Sequence, residues 1–232
     1  MIKVENIDVY GFEAAIRGMR NPKNSWDRSD SRLCERNNDD CHVNPACGCP
    51  KDGDFDDDYF CIGHNDLDLM QRLYKAGTEH RKYLRMINVT MDITCHHTWW
   101  AEFDTYKVGT VRNSCSKMHK IHIKRFTADD FSHEGIDECG NDVQSVFRMI
   151  INELEYLRQM FNETQDKKYW RAIIELLPMG FNIKSTVQMS YETVFNIIRQ
   201  REHHKVFEWV QFVDILKQLP YVDGISGGDK NG

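Results

Sequence analysis

Residues 191–216, with the sequence YETVFNIIRQREHHKVFEWVQFVDIL, carry the clearest structural signal in the chain. Apolar residues recur there at helical spacing and predict two successive helices. The two apolar faces consist of Tyr191, Val194, Phe195 and Ile198, and of Val206, Trp209, Val210, Val213 and Leu216. Arg201 follows the first face by one turn on the same side. Because an unpaired buried charge is costly, we expect Arg201 to have a partner.

Upstream of this helical pair, strand-like and helix-like segments alternate. Alternating and β-branched residues predict strands over 2–10 and 86–94, and an extended segment over 181–189. Helical periodicity predicts helices over 12–19, 65–85, 97–107, 137–161 and 164–177. On the second of these, His80 falls on the apolar stripe. The pattern predicts an α/β (α+β) protein with a central twisted sheet flanked by helices.

The bulk composition indicates one folded domain over residues 1–232. Apolar residues make up 41% and charged residues 28%, which argues against wholesale disorder and a fibrous fold. No apolar run approaches the roughly 20 residues that cross a bilayer, and the N-terminus lacks a signal-type segment. We therefore expect a cytoplasmic protein without a membrane partner. The net charge of -6 argues against a nucleic-acid partner.

Residues 20–64 show no periodicity and are interpreted as an irregular, Cys-rich loop insertion. They hold five of the eight cysteines, without a clean pair of CxxC knuckles. Three interpretations stay open: a structural zinc site, free thiols in a mobile loop, or disulfide pairing. The candidate zinc ligands are Cys34, Cys41, Cys47 and Cys49. At the other end of the chain, the glycine-rich residues 224–232 are predicted to form a flexible tail.

The charge is unevenly distributed. Acidic residues gather between Asp39 and Asp58, whereas residues 112–125, RNSCSKMHKIHIKR, are strongly basic and interleaved with hydroxyl and thiol side chains. The basic stretch suits a small anionic ligand, and a solvated loop that balances the acidic one is the alternative.

Three further clusters of polar residues are each weak evidence for a ligand site when taken alone. They are Thr78, Glu79 and His80; the basic and hydroxyl run after Lys107; and Arg201 with His203 and His204. Together they supply cations and hydroxyls for a phosphate and a guanidinium fork for a uracil edge. The alternatives are a core histidine at position 80 and surface histidines at 203 and 204.

From Asp66 to Pro220 the chain resembles the flavin-dependent thymidylate synthases. That family has a leucine-proline, an asparagine and an arginine, then a histidine and a glutamate, at similar spacing. The matching positions here are Leu177, Pro178, Asn196, Arg201, His204 and Glu208. Upstream, LYKAGTEH at 73–80 is similar to the family's glycine followed by a His-Glu-Ser/Thr type triplet.

The family's hallmark RHRxxSxNxxSxR is absent. Where it should fall, residues 104–117 read DTYKVGTVRNSCSK. The second half of the motif survives only as Ser114, Ser116 and Lys117, with Lys107 and Arg112 as substitutes for the lost arginines. Since lysine offers a point charge and arginine a bidentate fork, we expect the phosphate or flavin geometry to differ.

The resemblance implies an enzyme in which FAD, reduced by NADPH, relays a methylene group from methylenetetrahydrofolate to C5 of dUMP and yields dTMP. It implies a homotetramer, and flavin contacts from Thr78, Glu79, His80, Asn196 and His204. Arg201 would bind the base and stabilise its developing negative charge. The phosphate would be held by Lys107, Arg112, Ser114, Ser116, Lys117 and Arg171. The alternatives are a hydroxymethylating variant acting on dUMP or dCMP, and a non-catalytic nucleotide-binding or assembly protein on the same scaffold.

Overall fold

A computed structural model gives the structure of residues 1–34, 59–116 and 120–227. Its strands are β1 (Lys3–Tyr10), β2 (Arg32–Cys34), β3 (Tyr59–Cys61), β4 (Asn88–His96), β5 (Thr110–Ser114) and β6 (Asn182–Ser190). Four of them form a sheet in the order β1-β4-β6-β5, and β2 pairs with β3 antiparallel, with Leu33 opposite Phe60. The predicted mixed fold of helices and sheet is confirmed.

The helices are α1 (Phe12–Arg20), α2 (His64–Lys75), α3 (His97–Phe103), α4 (Glu134–Asp137), α5 (Asn141–Thr164), α6 (Lys167–Leu176), α7 (Tyr191–Arg201), α8 (Phe207–Lys217) and α9 (Val222–Ser226). Within the part of the chain that the structure describes, no helix combines the length and the apolar character needed to span a bilayer.

The chain divides into two compact units. The first contains the described residues of 1–6, 91–107 and 111–187, and the second those of 7–90, 108–110 and 188–232. Four of the five unit boundaries fall within β1, β4, β5 and β6, and the fifth lies between α3 and β5.

In the first unit, α5 and α6 form a helical hairpin around an apolar cluster. Asp166 caps α6, because its carboxylate accepts the backbone N–H of Lys168 at 3.0 Å. Gly140 lies in an extended conformation and separates α5 from the short α4, so the single helix predicted over 137–161 begins later than expected. The buried members of the cluster are Ile121, Phe126, Phe131, Leu154, Leu157 and Ile173.

In the second unit, α7 and α8 agree with the helices predicted from residues 191–216. Six of the nine residues predicted for their apolar faces are buried, and Tyr191 and Trp209 are 0% exposed. The Tyr191 hydroxyl donates to the carbonyl of Pro220 at 2.8 Å, which ties the start of α7 to the chain beyond α8. Residues 222–226 form α9, with Ile225 buried, where the sequence predicted a flexible tail from 224 onward.

The helix predicted over 65–85 is wrong in its second half. Helix α2 ends at Lys75, and Gly77 follows with a φ of +104°. A glycine in this left-handed region ends a helix without steric cost. The chain then turns and re-enters the core through a 3₁₀ turn at Lys82–Arg85, in which Leu84 is buried. The apolar spacing therefore continued past the point where the helix stops, and His80 is exposed rather than buried.

The N-terminus of α2 is fixed by two carboxylates, those of Asp30 and Asp66. Asp66 is 0% exposed and accepts from Arg20 Nε at 2.6 Å, Ser29 Oγ at 2.8 Å and Ser31 Oγ at 2.6 Å. It also accepts the backbone N–H groups of Asp30 and Ser31, both at 3.1 Å. In return, the Asp30 carboxylate accepts two backbone N–H groups of the first turn of α2, at 2.9 and 3.1 Å. Residues 29–34 are thus ordered, so the irregular insertion predicted over 20–64 is too long.

Two glycines have left-handed backbones but differ in the space around them. A side chain at either would strain the backbone, and only at Gly11 would it also overlap a neighbour. Gly11 has a φ of +98°, and a Cβ there would lie 2.1 Å from the carbonyl oxygen of Met86. Gly77 has a φ of +104° with no heavy atom within 4 Å of an added Cβ. We expect Gly77→Ala to lower the free energy of unfolding by about 1–2 kcal/mol, and Gly11→Ala by about 1–3 kcal/mol more. Urea denaturation measures both, and equal losses would contradict the close approach at Gly11.

Candidate functional site

Arg201 lies at the end of α7 in the second unit, half-buried and beside aromatic side chains. Its guanidinium carbon is 4.6 Å from the ring centre of Trp209 on α8. The indole is fully buried, and a desolvated cation over its face is stabilised by about 0.5–2 kcal/mol. The prediction that Arg201 has a partner is confirmed, and the apolar face of α8 supplies that partner.

His204 lies in the turn between α7 and α8 and contacts Arg201 as well. Its Nε2 is 2.8 Å from Arg201 Nη1, and its Nδ1 is 3.2 Å from the backbone nitrogen of Val206. The imidazole also meets the Trp209 ring edge-on, with 6.2 Å between the ring centres. We call Arg201, His204 and Trp209 the arginine cluster. It presents a guanidinium and an imidazole that are held in place by one buried indole.

The remaining predicted residues of the second unit lie on α7 and after α2. Asn196 is half-buried on α7, where its Oδ1 accepts from Arg199 Nη2 at 3.3 Å. Thr78, Glu79 and His80 form an exposed turn after α2. The next residue, Arg81, has a buried Nε without a hydrogen-bond partner among the described residues.

In the first unit, Arg112 is the most constrained of the predicted phosphate ligands. Its guanidinium carbon lies 3.8 Å from the ring centre of Trp100. Nη1 donates to both carboxylate oxygens of Asp104, at 2.8 and 2.7 Å, and Nε donates to the Ser185 hydroxyl at 3.0 Å. Three side chains of the unit thus hold this guanidinium, which is the geometry that an arginine fork favours and a lysine cannot provide.

The other predicted phosphate ligands lie at the surface of the first unit. Lys107 follows α3, and Ser114 and Ser116 lie at and just after the end of β5; all three are exposed. Arg171 is exposed on α6 and donates from Nε to Glu175 at 2.8 Å. Lys117 lies outside the described residues.

The predicted zinc ligands Cys41, Cys47 and Cys49, and the side chain of Cys34, lie outside the described residues. Cys61, at the end of β3, is disulfide-bonded, so its sulfur is not a thiolate ligand. The described residues include no group of three or more His, Cys, Asp or Glu side chains arranged to bind a metal. The zinc site stays a prediction.

Sequence reasoning missed the partners that fix the two arginines. The sequence places Trp209 on the apolar face of α8 and Trp100 within the helix predicted over 97–107. Neither pattern shows that a guanidinium stacks on the ring, because each contact joins residues from different elements. The only available signal was that an arginine beside an apolar face requires a partner.

With this geometry, the fold is that of the flavin-dependent thymidylate synthases. The crystal structure of ThyX from Helicobacter pylori complexed with FAD and dUMP has a TM-score of 0.63 and 15% sequence identity, and the match covers 97% of each chain. A second structure of ThyX from Helicobacter pylori with FAD and dUMP has a TM-score of 0.62 and 14% identity over 97% of this chain and 99% of that one. No protein-family model matches the sequence, and no curated protein matches it. The resemblance inferred from sequence is therefore confirmed in the fold.

Proposed function

We propose that this chain is a flavin-dependent enzyme that transfers a one-carbon unit from methylenetetrahydrofolate to C5 of dUMP and yields dTMP. The observation that carries the proposal is the arginine cluster on a fold that matches, over 97% of the chain, an enzyme crystallised with FAD and dUMP. The proposal includes NADPH as the reductant, a homotetrameric assembly and a cytoplasmic location.

In this proposal Arg201 binds the pyrimidine base. A guanidinium offers only donors, in a planar fork that suits the carbonyl edge of a uracil ring. C5 must become nucleophilic before it accepts a carbon unit, so negative charge builds up on the ring of the activated base, and a fixed cation stabilises that charge most where water is excluded. Trp209 beneath the guanidinium excludes water from one face and fixes the orientation of the fork. Arg201 therefore combines base recognition with stabilisation of the charged transition state.

The residues of the second unit fit a flavin. Thr78, Glu79, His80 and Asn196 offer hydroxyl, carboxylate, imidazole and amide groups, which are the donors and acceptors that a flavin ring and its ribityl chain require. The buried Nε of Arg81 adds a donor that lacks an acceptor among the described residues. These residues would hold FAD, which supplies the redox chemistry when bound.

For the phosphate we retain Lys107, Ser114, Ser116 and Arg171, with Lys117 as predicted from sequence. Exposed cations and hydroxyls are suitable ligands, and the surface pair of Arg171 with Glu175 is a weak interaction that a phosphate can replace. Arg112 is different, because Asp104, Ser185 and Trp100 already hold its guanidinium. We assign it the role of positioning the strand that carries Ser114.

The direct test of the cofactor is the colour of the protein. We expect the purified protein, as isolated or after incubation with FAD, to show the two visible absorption bands of an oxidised flavin and to lose them on reduction with NADPH. A protein that stays colourless after incubation with FAD would contradict an enzyme of this class and favour a non-catalytic nucleotide-binding protein on the same scaffold.

A further inference from the structure

The loop that joins α3 to β5 is bound to the first turn of α7 through its carbonyl groups. The backbone N–H of Ser190 donates to the carbonyl of Gly109 at 3.2 Å, and the Thr193 hydroxyl donates to the carbonyl of Val108 at 3.1 Å. Ser190 and Thr193 are each only 5% exposed. Because buried donors are shielded from competing water, these two hydrogen bonds fix the backbone of the loop.

The two buried hydroxyl groups can share their protons in only one way. A carbonyl has no proton to give, so the single proton of Thr193 Oγ1 is directed to Val108. Ser190 Oγ lies 3.3 Å from Thr193 Oγ1 and donates to it, while it accepts the Thr193 backbone N–H at 3.4 Å as the N-cap of α7. Each hydroxyl thus donates once and accepts once, and the chain of hydrogen bonds ends on the Val108 carbonyl.

Gly109 allows the loop to approach these hydroxyl groups closely. Its φ is +71°, and a Cβ added there would lie 3.2 Å from Ser190 Oγ and 3.7 Å from Thr193 Oγ1. The two residues before the glycine are exposed, Val108 to 87%. The loop is therefore held by its backbone, while the side chains of Lys107 and Val108 remain accessible.

We infer that Thr193 is a positioning residue that holds Lys107 for the phosphate of the nucleotide. This inference rests on the proposed function, in which Lys107 binds the phosphate, and Lys107 directly precedes the residue whose carbonyl Thr193 binds. A lysine on a mobile loop loses backbone and side-chain freedom when it binds an anion, whereas on a fixed loop it loses only side-chain freedom. Thr193 thus strengthens phosphate binding without contacting the phosphate.

The preference for dUMP over deoxyuridine measures the phosphate contact, because the two ligands share a base and a sugar. In calorimetric titrations of the full chain, Thr193→Val should lower this preference about 2- to 12-fold, which corresponds to one hydrogen bond. Lys107→Ala should lower it at least as much, since Thr193 acts through Lys107. In the Lys107→Ala background, Thr193→Val should therefore lower it no further.

Three further variants separate positioning from a general loss of stability. Thr193→Ser keeps the hydroxyl and should keep most of the preference. Gly109→Ala retains both hydroxyls but moves the loop away from them, so it should lower the preference as Thr193→Val does. Thr105→Val is the matched control, because the Thr105 hydroxyl donates at 2.7 Å to the carbonyl of Glu102, at the end of α3, and should leave the preference unchanged.

An undiminished preference in Thr193→Val, or a further loss when it is added to Lys107→Ala, would overturn the inference while the proposed function stands. An equal loss in Thr105→Val would also overturn it, because the hydrogen bonds to α7 would then have no special role. If Lys107→Ala kept the full preference, Lys107 would not bind the phosphate and the inference would fall. A wild type that does not bind dUMP would overturn the proposed function and the inference with it.

Discussion

Replacing Asp66 with alanine should lower the free energy of unfolding by about 3–5 kcal/mol, because it leaves a buried guanidinium without its counter-ion. Arg20 is 3% exposed, and its Nε lies 2.6 Å from the Asp66 carboxylate. The same carboxylate accepts the hydroxyl groups of Ser29 and Ser31 and thereby connects residues 29–31 to the start of α2. Equilibrium unfolding in urea measures the loss.

The matched control is Asp68→Ala, two residues further along α2. Asp68 pairs with Arg72 at 2.7 Å, but the two side chains are 52% and 62% exposed. A surface pair of this kind contributes about 0–1 kcal/mol. If the two variants lost the same stability, the buried network would not be what holds α1, residues 29–31 and α2 together.

The hydrogen bonds to the Asp66 carboxylate also predict the direction in which the stability of the fold changes with pH. Burial raises the pKa of Asp66, but the hydrogen bonds from Ser31, Ser29 and Arg20 outweigh burial and leave the pKa below its usual value. A lowered carboxyl pKa stabilises the folded state above the ordinary value of about 4, and this stability is lost as the pH falls through the folded-state value. The stability difference between the wild type and Asp66→Asn should accordingly shrink in acid. A constant difference down to the acid transition would contradict the lowered pKa.

Replacing Arg201 with alanine should weaken dUMP binding by about 1.5–3 kcal/mol, or roughly 10- to 150-fold, because it removes a charge-assisted hydrogen bond to the base. Arg201→Lys should recover little of this, since an ammonium lacks the planar fork and the flat face that stacks on Trp209. The exposed Lys205 provides the control, because Lys205→Ala removes one positive charge from the same turn. Calorimetric titration distinguishes the variants, and unchanged affinity in Arg201→Ala would remove it from the site.

The parts of the fold that were predictable from sequence are those where burial and local spacing agree. In α7, α8 and β4, the buried side chains follow the period of a helix or a strand. The sequence pattern therefore predicts the type of element directly. The helix predicted over 65–85 failed because Leu84 is buried by a 3₁₀ turn that happens to continue the helical spacing beyond Gly77. The β2–β3 pair was missed because three-residue strands are too short to show alternation.

Only the charged residues of the candidate site were predictable from sequence, and the contacts that hold them were not. Arg201 stood out because a cation follows an apolar face, but the distance to His204 and the stacking on Trp209 depend on the turn between α7 and α8. Arg112 shows the converse, since its basic surroundings suggested a phosphate ligand whereas Asp104 and Ser185 bind it within the fold. Contacts that join separate elements leave no periodic signal in a sequence.

The release of tritium from C5-labelled dUMP, with the mass of the product, is the most direct test of the central claim, because a carbon unit that bonds to C5 displaces the C5 hydrogen. With FAD, NADPH and methylenetetrahydrofolate, we predict tritium release together with a product of the mass of dTMP. Release with a hydroxymethylated product would keep the transfer to C5 and change the product. Retention of tritium by a protein that has bound both FAD and dUMP would contradict the account.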